Sequence, residues 1–172
     1  MSFETGQLVI YDGRELCRLD GICKRCFDGV NSEEYYRLIP ENNGVSGSSC
    51  YYVPIDRLEE RVRKLLTREE ICSAIDESNG EPILCSDDKN RRKAILNETV
   101  KSGDSGLLIR LIRELLNEKK QRSEIGKGLV SSDEKALNAA CRVISSEFSV
   151  VLGIPCESIG DFIEERLAAK GI

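Results

Sequence analysis

Tyr51-Tyr52-Val53-Pro54-Ile55-Asp56-Arg57-Leu58-Glu59-Glu60-Arg61-Val62-Arg63-Lys64-Leu65-Leu66 is the stretch on which the fold class turns. Up to Pro54 the apolar residues come in short runs with strand character. From Asp56 onward they recur with a period near 3.6. Leu58, Val62, Leu65 and Leu66 fall on one helical face, and Asp56 with Glu59 has the form of a capping box. The switch predicts an α+β chain in two domains, residues 1–56 built from strands and residues 57–172 from helices.

Upstream of the switch, Gln7–Tyr11 reads as a strand closed by Asp12-Gly13 turn chemistry. A long, bent strand is expected within Leu16–Phe27, with Gly21 as its bulge or kink. Asp28-Gly29 is a hairpin signal. Glu34–Ile39 forms the next strand and stops at Pro40, and Cys50–Pro54 completes the set. So many short strands in so few residues suggest a small, strongly bent antiparallel β-barrel. Tyr35-Tyr36 and Tyr51-Tyr52 each place one ring inside and one outside, by strand alternation.

Downstream, Thr67 with Glu70 caps a helix through Ile71, Ala74 and Ile75. A basic helix follows from about Lys89 to Val100 and ends at Ser102-Gly103-Asp104. The next runs from Ser105 to about Gln121 with a stripe of Leu107, Leu108, Leu111, Ile112, Leu115 and Leu116. Ser131 with Glu134 caps a helix ending at Leu152, where Gly153 suits the C-terminal cap. A last amphipathic helix covers Glu157–Ala169.

Composition narrows the function classes. The 172 residues are 40% hydrophobic and 32% charged, as in a globular protein. No apolar run is long enough to span a bilayer and no export signal is visible, so a cytoplasmic location with reduced thiols is expected for the eight cysteines. The absence of histidine removes the commonest general base and metal ligand, and no Gly-rich phosphate loop is present. A non-enzymatic role without cofactor is therefore expected. Cys23-x-x-Cys26 lies in a predicted strand, where residues three apart face opposite sides, so no metal site is expected there.

Net charge is −5, which argues against tight autonomous binding to nucleic acid. The distribution says more. Residues 1–56 carry five Lys/Arg against nine Asp/Glu, whereas Lys89 to Lys127 holds eleven basic residues against five acids. Lys89, Arg91, Arg92 and Lys93 open the basic helix, and i,i+3 and i,i+4 spacing puts Lys89, Arg92 and Lys93 on one face. Lys119-Lys120-Gln121-Arg122 sits near a helix C-terminus, where cations favour the macrodipole.

In order and spacing, several blocks resemble the CarD family of bacterial transcription regulators: Gly6-Gln7-Leu8-Val9-Ile10-Tyr11, Gly21-Ile22, Gly29, Tyr35-Tyr36-Arg37-Leu38, Tyr52-Val53-Pro54, Asn90-Arg91-Arg92, Lys101-Ser102-Gly103-Asp104 and Ile112-Arg113-Glu114-Leu115. The resemblance implies a Tudor-like N-terminal domain, similar to that of the transcription-repair coupling factor, that binds the RNA polymerase β subunit. It also implies a helical domain that contacts promoter DNA at the upstream edge of the bubble, weakly and without sequence specificity, and affects open-complex stability. The polymerase-facing residues carried over are Arg25, Phe27 and, on what is expected to be the neighbouring strand, Tyr52. The DNA-facing residues are Lys89, Arg91, Arg92 and Lys93. Some members hold an arginine where this chain has Tyr52, and a tryptophan wedge where it has Lys89. Gly13-Arg14-Glu15 also replaces the family's usual opening turn. The missing tryptophan keeps an adaptor without productive DNA contact as the alternative. Function as a monomer, without a membrane, completes the expectation.

Overall fold

The computed structural model describes residues 3–27, 32–41, 50–78, 80–84 and 88–171. The expected Asp28-Gly29 hairpin turn lies outside them. The chain is α+β and divides into two units, Met1–Leu65 and Leu66–Ile172.

The first unit is a five-stranded antiparallel sheet in the order β4-β3-β2-β1-β5. Its strands are β1 (Leu8–Tyr11), β2 (Glu15–Arg25), β3 (Glu33–Pro40), β4 (Tyr51–Pro54) and β5 (Val62–Lys64). β4 and β5 are left as edges, so the sheet is open and the expected barrel does not close. The helix expected from Asp56 through Leu66 is reduced to a 3-10 turn (Ile55–Arg57) and the single turn α1 (Leu58–Arg61). Neither has a side-chain cap, so the Asp56–Glu59 capping box does not form. Tertiary pairing overrides the helical period here. Val62 pairs with Tyr11, and Arg61 forks onto Asp12 at 2.6 and 2.8 Å while the Asp12 amide donates to the Arg61 carbonyl. β5 therefore carries the sheet unit past Asp56.

Gly21 has φ +131, and the β2–β3 register shifts between Leu19 and Gly21. This is the expected bulge, and it decides which way the end of β2 faces. Before it, Cys17 and Leu19 point into a core with Val9, Leu38, Val53, Leu58 and Val62. One extra residue inverts the alternation. Cys23 and Arg25 consequently pair with Tyr35 and Glu33 on the opposite, outer face.

The second unit is helical: α2 (Arg68–Glu77), α3 (Lys89–Ser102), α4 (Ser105–Glu124), α5 (Ser131–Leu152), a 3-10 turn (Cys156–Ser158) and α6 (Ile159–Ala169). The Thr67–Glu70 capping box forms in full, at 3.2 and 2.7 Å. The Ser131–Glu134 cap does not: Val130 is the N-cap residue and Ser131 already lies inside the helix. Gly103 and Gly153 end their helices in the left-handed conformation that favours glycine. The core joins Ile71 and Ile75 to Leu96, Leu108, Leu111, Leu115, Ile144, Phe148, Ile163 and Leu167. In α4 the buried stripe takes in Ile109 and leaves Leu107 and Leu116 partly exposed, a narrower face than the sequence suggests.

Candidate interaction surfaces

The outer face of the sheet unit gathers an arginine and three aromatic rings. Arg25 Nη2 donates to the Tyr52 hydroxyl at 2.9 Å, with its guanidinium 5.0 Å from the Tyr52 ring centroid. Phe27 follows the end of β2 and meets Tyr35 edge-on at 5.2 Å and Tyr52 at 5.7 Å. Arg25, Phe27 and Tyr52 thus lie together, although Tyr52 is two strands from Arg25, with β3 between them, and not on the neighbouring strand. Tyr35 is the member that the sequence did not assign. Its signal was the alternation of the paired tyrosines: Tyr36 and Tyr51 pack against the core, leaving Tyr35 and Tyr52 for the other face.

The electrostatics of this patch are distinctive. Arg25 sits opposite Glu33 in the register, yet the Glu33 carboxylate accepts from the Tyr35 hydroxyl at 2.9 Å. Arg25 forms no ion pair among the described residues, and the hydrogen bond to Tyr52 is the first cause raising its pKa. Nearby Arg37 differs, being forked onto Asp20. Phe27 is 65% exposed, so Arg25 rests on a wet aromatic platform.

In the helical unit the basic cluster separates into two roles. Asp88 caps α3, its Oδ1 accepting from the amides of Asn90 (2.7 Å) and Arg91 (3.2 Å). Glu114 of α4 accepts from the amides of Ile83 and Leu84 at 2.6 and 3.0 Å, tying the segment before α3 to α4. Lys89, Arg91 and Lys93 are exposed. Arg92 is not part of that surface. Its guanidinium contacts Asp133 Oδ2 at 2.8 and 3.1 Å and Glu118 Oε2 at 2.5 Å, and Glu118 also holds Arg122 at 2.9 Å. Burial pulls the Arg92 pKa down, but Asp133 and Glu118 together raise it overall. Arg92 thus joins α3, α4 and α5, and the expected common face with Lys89 and Lys93 carries two available cations instead of three.

A helix N-terminus is an unfavourable place for cations, and the first turn of α3 contains no acid. Lys89, Arg91 and Lys93 therefore do little for helix stability where they stand. Among the described residues, no group of three or more His, Cys, Asp or Glu is placed to hold a metal ion, and no single helix is long and apolar enough to cross a membrane. Comparison with protein-family models and with curated proteins finds no match for this chain.

Proposed function

We propose that this chain is a CarD-like transcription regulator, acting by binding and not by turnover, in the bacterial cytoplasm. Its sheet unit docks on the RNA polymerase β subunit through Arg25, Phe27, Tyr35 and Tyr52. Its helical unit contacts promoter DNA through Lys89, Arg91 and Lys93 and modulates the stability of the open complex. The observation that carries the reading is the Arg25 platform: an exposed guanidinium oriented by a neutral phenol, beside an exposed phenylalanine, is ready to accept an acidic partner. Aromatic and arginine residues are the types enriched at protein interfaces. The five antiparallel strands support the Tudor-like reading by their number. Tethering to polymerase raises the local DNA concentration, so three exposed cations suffice where autonomous binding would need more.

The test is binding of the full chain to the isolated β lobe, beside Arg25→Glu. Wild type is expected to bind and the charge reversal to weaken binding by at least about tenfold, or 1.4 kcal/mol. Absence of wild-type binding would refute the proposal.

The commitment of Arg92 to Asp133 and Glu118 favours a second reading, an adaptor that docks in the same way without productive DNA contact. Replacing Lys89, Arg91 and Lys93 together by alanine separates the two. Unchanged open-complex lifetime selects the adaptor.

A further inference from the structure

The helical unit leaves an apolar groove between α4 and α6 that its own packing does not fill. α2 packs against both helices, which are not closely packed on each other. The groove has a volume of about 270 Å³ and is open to solvent. Its floor is Ile109, Ile163 and Leu167, all buried. Ile112 and Leu116 line the α4 side, and Leu116 is 42% exposed. The α6 side is low. Gly160 and Ala168 line it with Glu164 between them, each four residues from the next along one face of the helix. Open space surrounds the position that a Gly160 Cβ would take.

Two charged residues line the groove, Arg113 on α4 and Glu164 on α6. Arg113 is half-buried, as are Arg92, Arg122 and Arg166, but each of those meets a carboxylate. The Arg113 guanidinium and the Glu164 carboxylate have no ion-pair or hydrogen-bond partner among the described residues, and they do not pair with each other. An occupant must therefore supply an aliphatic side chain, an anion for Arg113 and a cation for Glu164. The volume falls below the roughly 300–1,000 Å³ of small-molecule pockets and suits side chains better than a free ligand. The balanced charge gives no net attraction for nucleic acid or an anionic bilayer. The face itself carries all three complements: Leu116 as the aliphatic knob, Glu164 as the anion and Arg113 as the cation. Such self-complementarity is what a two-fold interface requires.

We propose that the α4–α6 groove is where a second copy of this chain docks, the two copies being related by a two-fold axis. Leu116 of each copy enters the other's groove across the low rim at Gly160 and Ala168. Arg113 pairs with Glu164 of the partner subunit, once on each side of the axis. The aliphatic floor supplies the apolar centre of the interface and the two ion pairs its polar rim. None of the residues of the function proposed above takes part, and the dimer departs from the monomer expected from the sequence.

The experiment is analytical ultracentrifugation of the full chain from micromolar to submillimolar concentration. A thiol reductant is present so that the exposed Cys26 and Cys156 do not cross-link copies. Wild type is expected to self-associate reversibly to a dimer. Arg113→Glu and Glu164→Arg, each alone, bring like charges together twice per dimer and are expected to weaken association by at least about tenfold. An equimolar mixture of the two variants is expected to recover wild-type association. In the mixed dimer the new carboxylate of one copy meets the new guanidinium of the other, and the native pair forms across the axis. That recovery also shows that both variants are folded. Leu116→Ala removes both knobs and is expected to weaken association by about tenfold or more. The dimer is overturned if wild type stays monomeric across this range, if either charge reversal associates as wild type does, or if the mixture associates no better than its components.

Discussion

The outer face of the sheet and the basic end of the helical unit each present an arginine from a similarly polar stretch of sequence, yet Arg25 donates to a neutral phenol whereas Arg92 is clamped between two carboxylates. The difference lies in what each guanidinium is for. Asp133 is almost fully buried, and an ionised carboxylate in that position needs a cation. Arg92 meets that need, and with it the packing of three helices. Arg25 neutralises no carboxylate among the described residues, so its removal leaves no buried charge behind. An arginine held by acids contributes to the fold; under the function proposed above, one held by aromatic rings serves a partner.

The largest effect that would sharpen this contrast is on stability. Arg92→Ala leaves the buried Asp133 without a cation, Glu118 keeping Arg122, and is expected to cost about 2–3 kcal/mol in chemical denaturation, below the range for fully buried pairs because Arg92 and Glu118 keep some contact with water. Arg92→Lys retains the charge but loses the fork, and should recover only part of the loss. A cost near zero for Arg92→Ala would return this residue to the DNA-facing set.

An intermediate effect is expected within the sheet, where the paired tyrosines repeat the contrast. Tyr51 donates to Glu15 at 2.7 Å and stacks on Tyr11 at 4.7 Å, and its phenol is pushed up to about 12, first by the hydrogen bond to Glu15, then by burial and by the charge of Glu15. Because the folded pKa lies above the unfolded value, this contribution is fully present below pH ~10 and is lost as pH rises through about 12. Tyr51→Phe should therefore lower stability by about 1 kcal/mol at neutral pH, and alkaline denaturation curves of the two proteins should converge as Tyr51 ionises. Curves that stay parallel throughout would show that the Glu15 bond contributes nothing.

The smallest stability effect is expected at the outer face. Arg25→Ala should leave the denaturation midpoint essentially where it is in wild type, as an exposed substitution that strands no buried group. A loss comparable to that of Arg92→Ala would break the comparison and make Arg25 structural.

Much of the secondary structure was legible because it is set locally. The capping box at Thr67–Glu70 and the left-handed caps at Gly103 and Gly153 depend on residues within a few positions of one another. The expectations that failed depended on distant partners. The helix expected from Asp56 through Leu66 gives way to a strand because Val62 has Tyr11 to pair with, some fifty residues earlier in the chain. Ser131 and Glu134 have the pattern of a cap, but the N-cap falls a residue earlier at Val130, leaving Ser131 as the first helical residue.

By itself the sequence determined the α+β class and the order of the elements outside residues 56–66, since period and turn chemistry are properties of short windows. It also placed Arg25, Phe27 and Tyr52 in one patch through the family resemblance, and alternation along the strands sorted the tyrosines. Only the tertiary structure decided that the sheet stays open, that β3 stands between Arg25 and Tyr52, and that Arg92 faces inward while Lys89, Arg91 and Lys93 face water. The reason is that a charged side chain reads the same in sequence whether it meets solvent or a carboxylate. Glu118 and Asp133 are 26 and 41 residues from Arg92, and only the packing of α3 against α4 and α5 brings them within hydrogen-bonding distance.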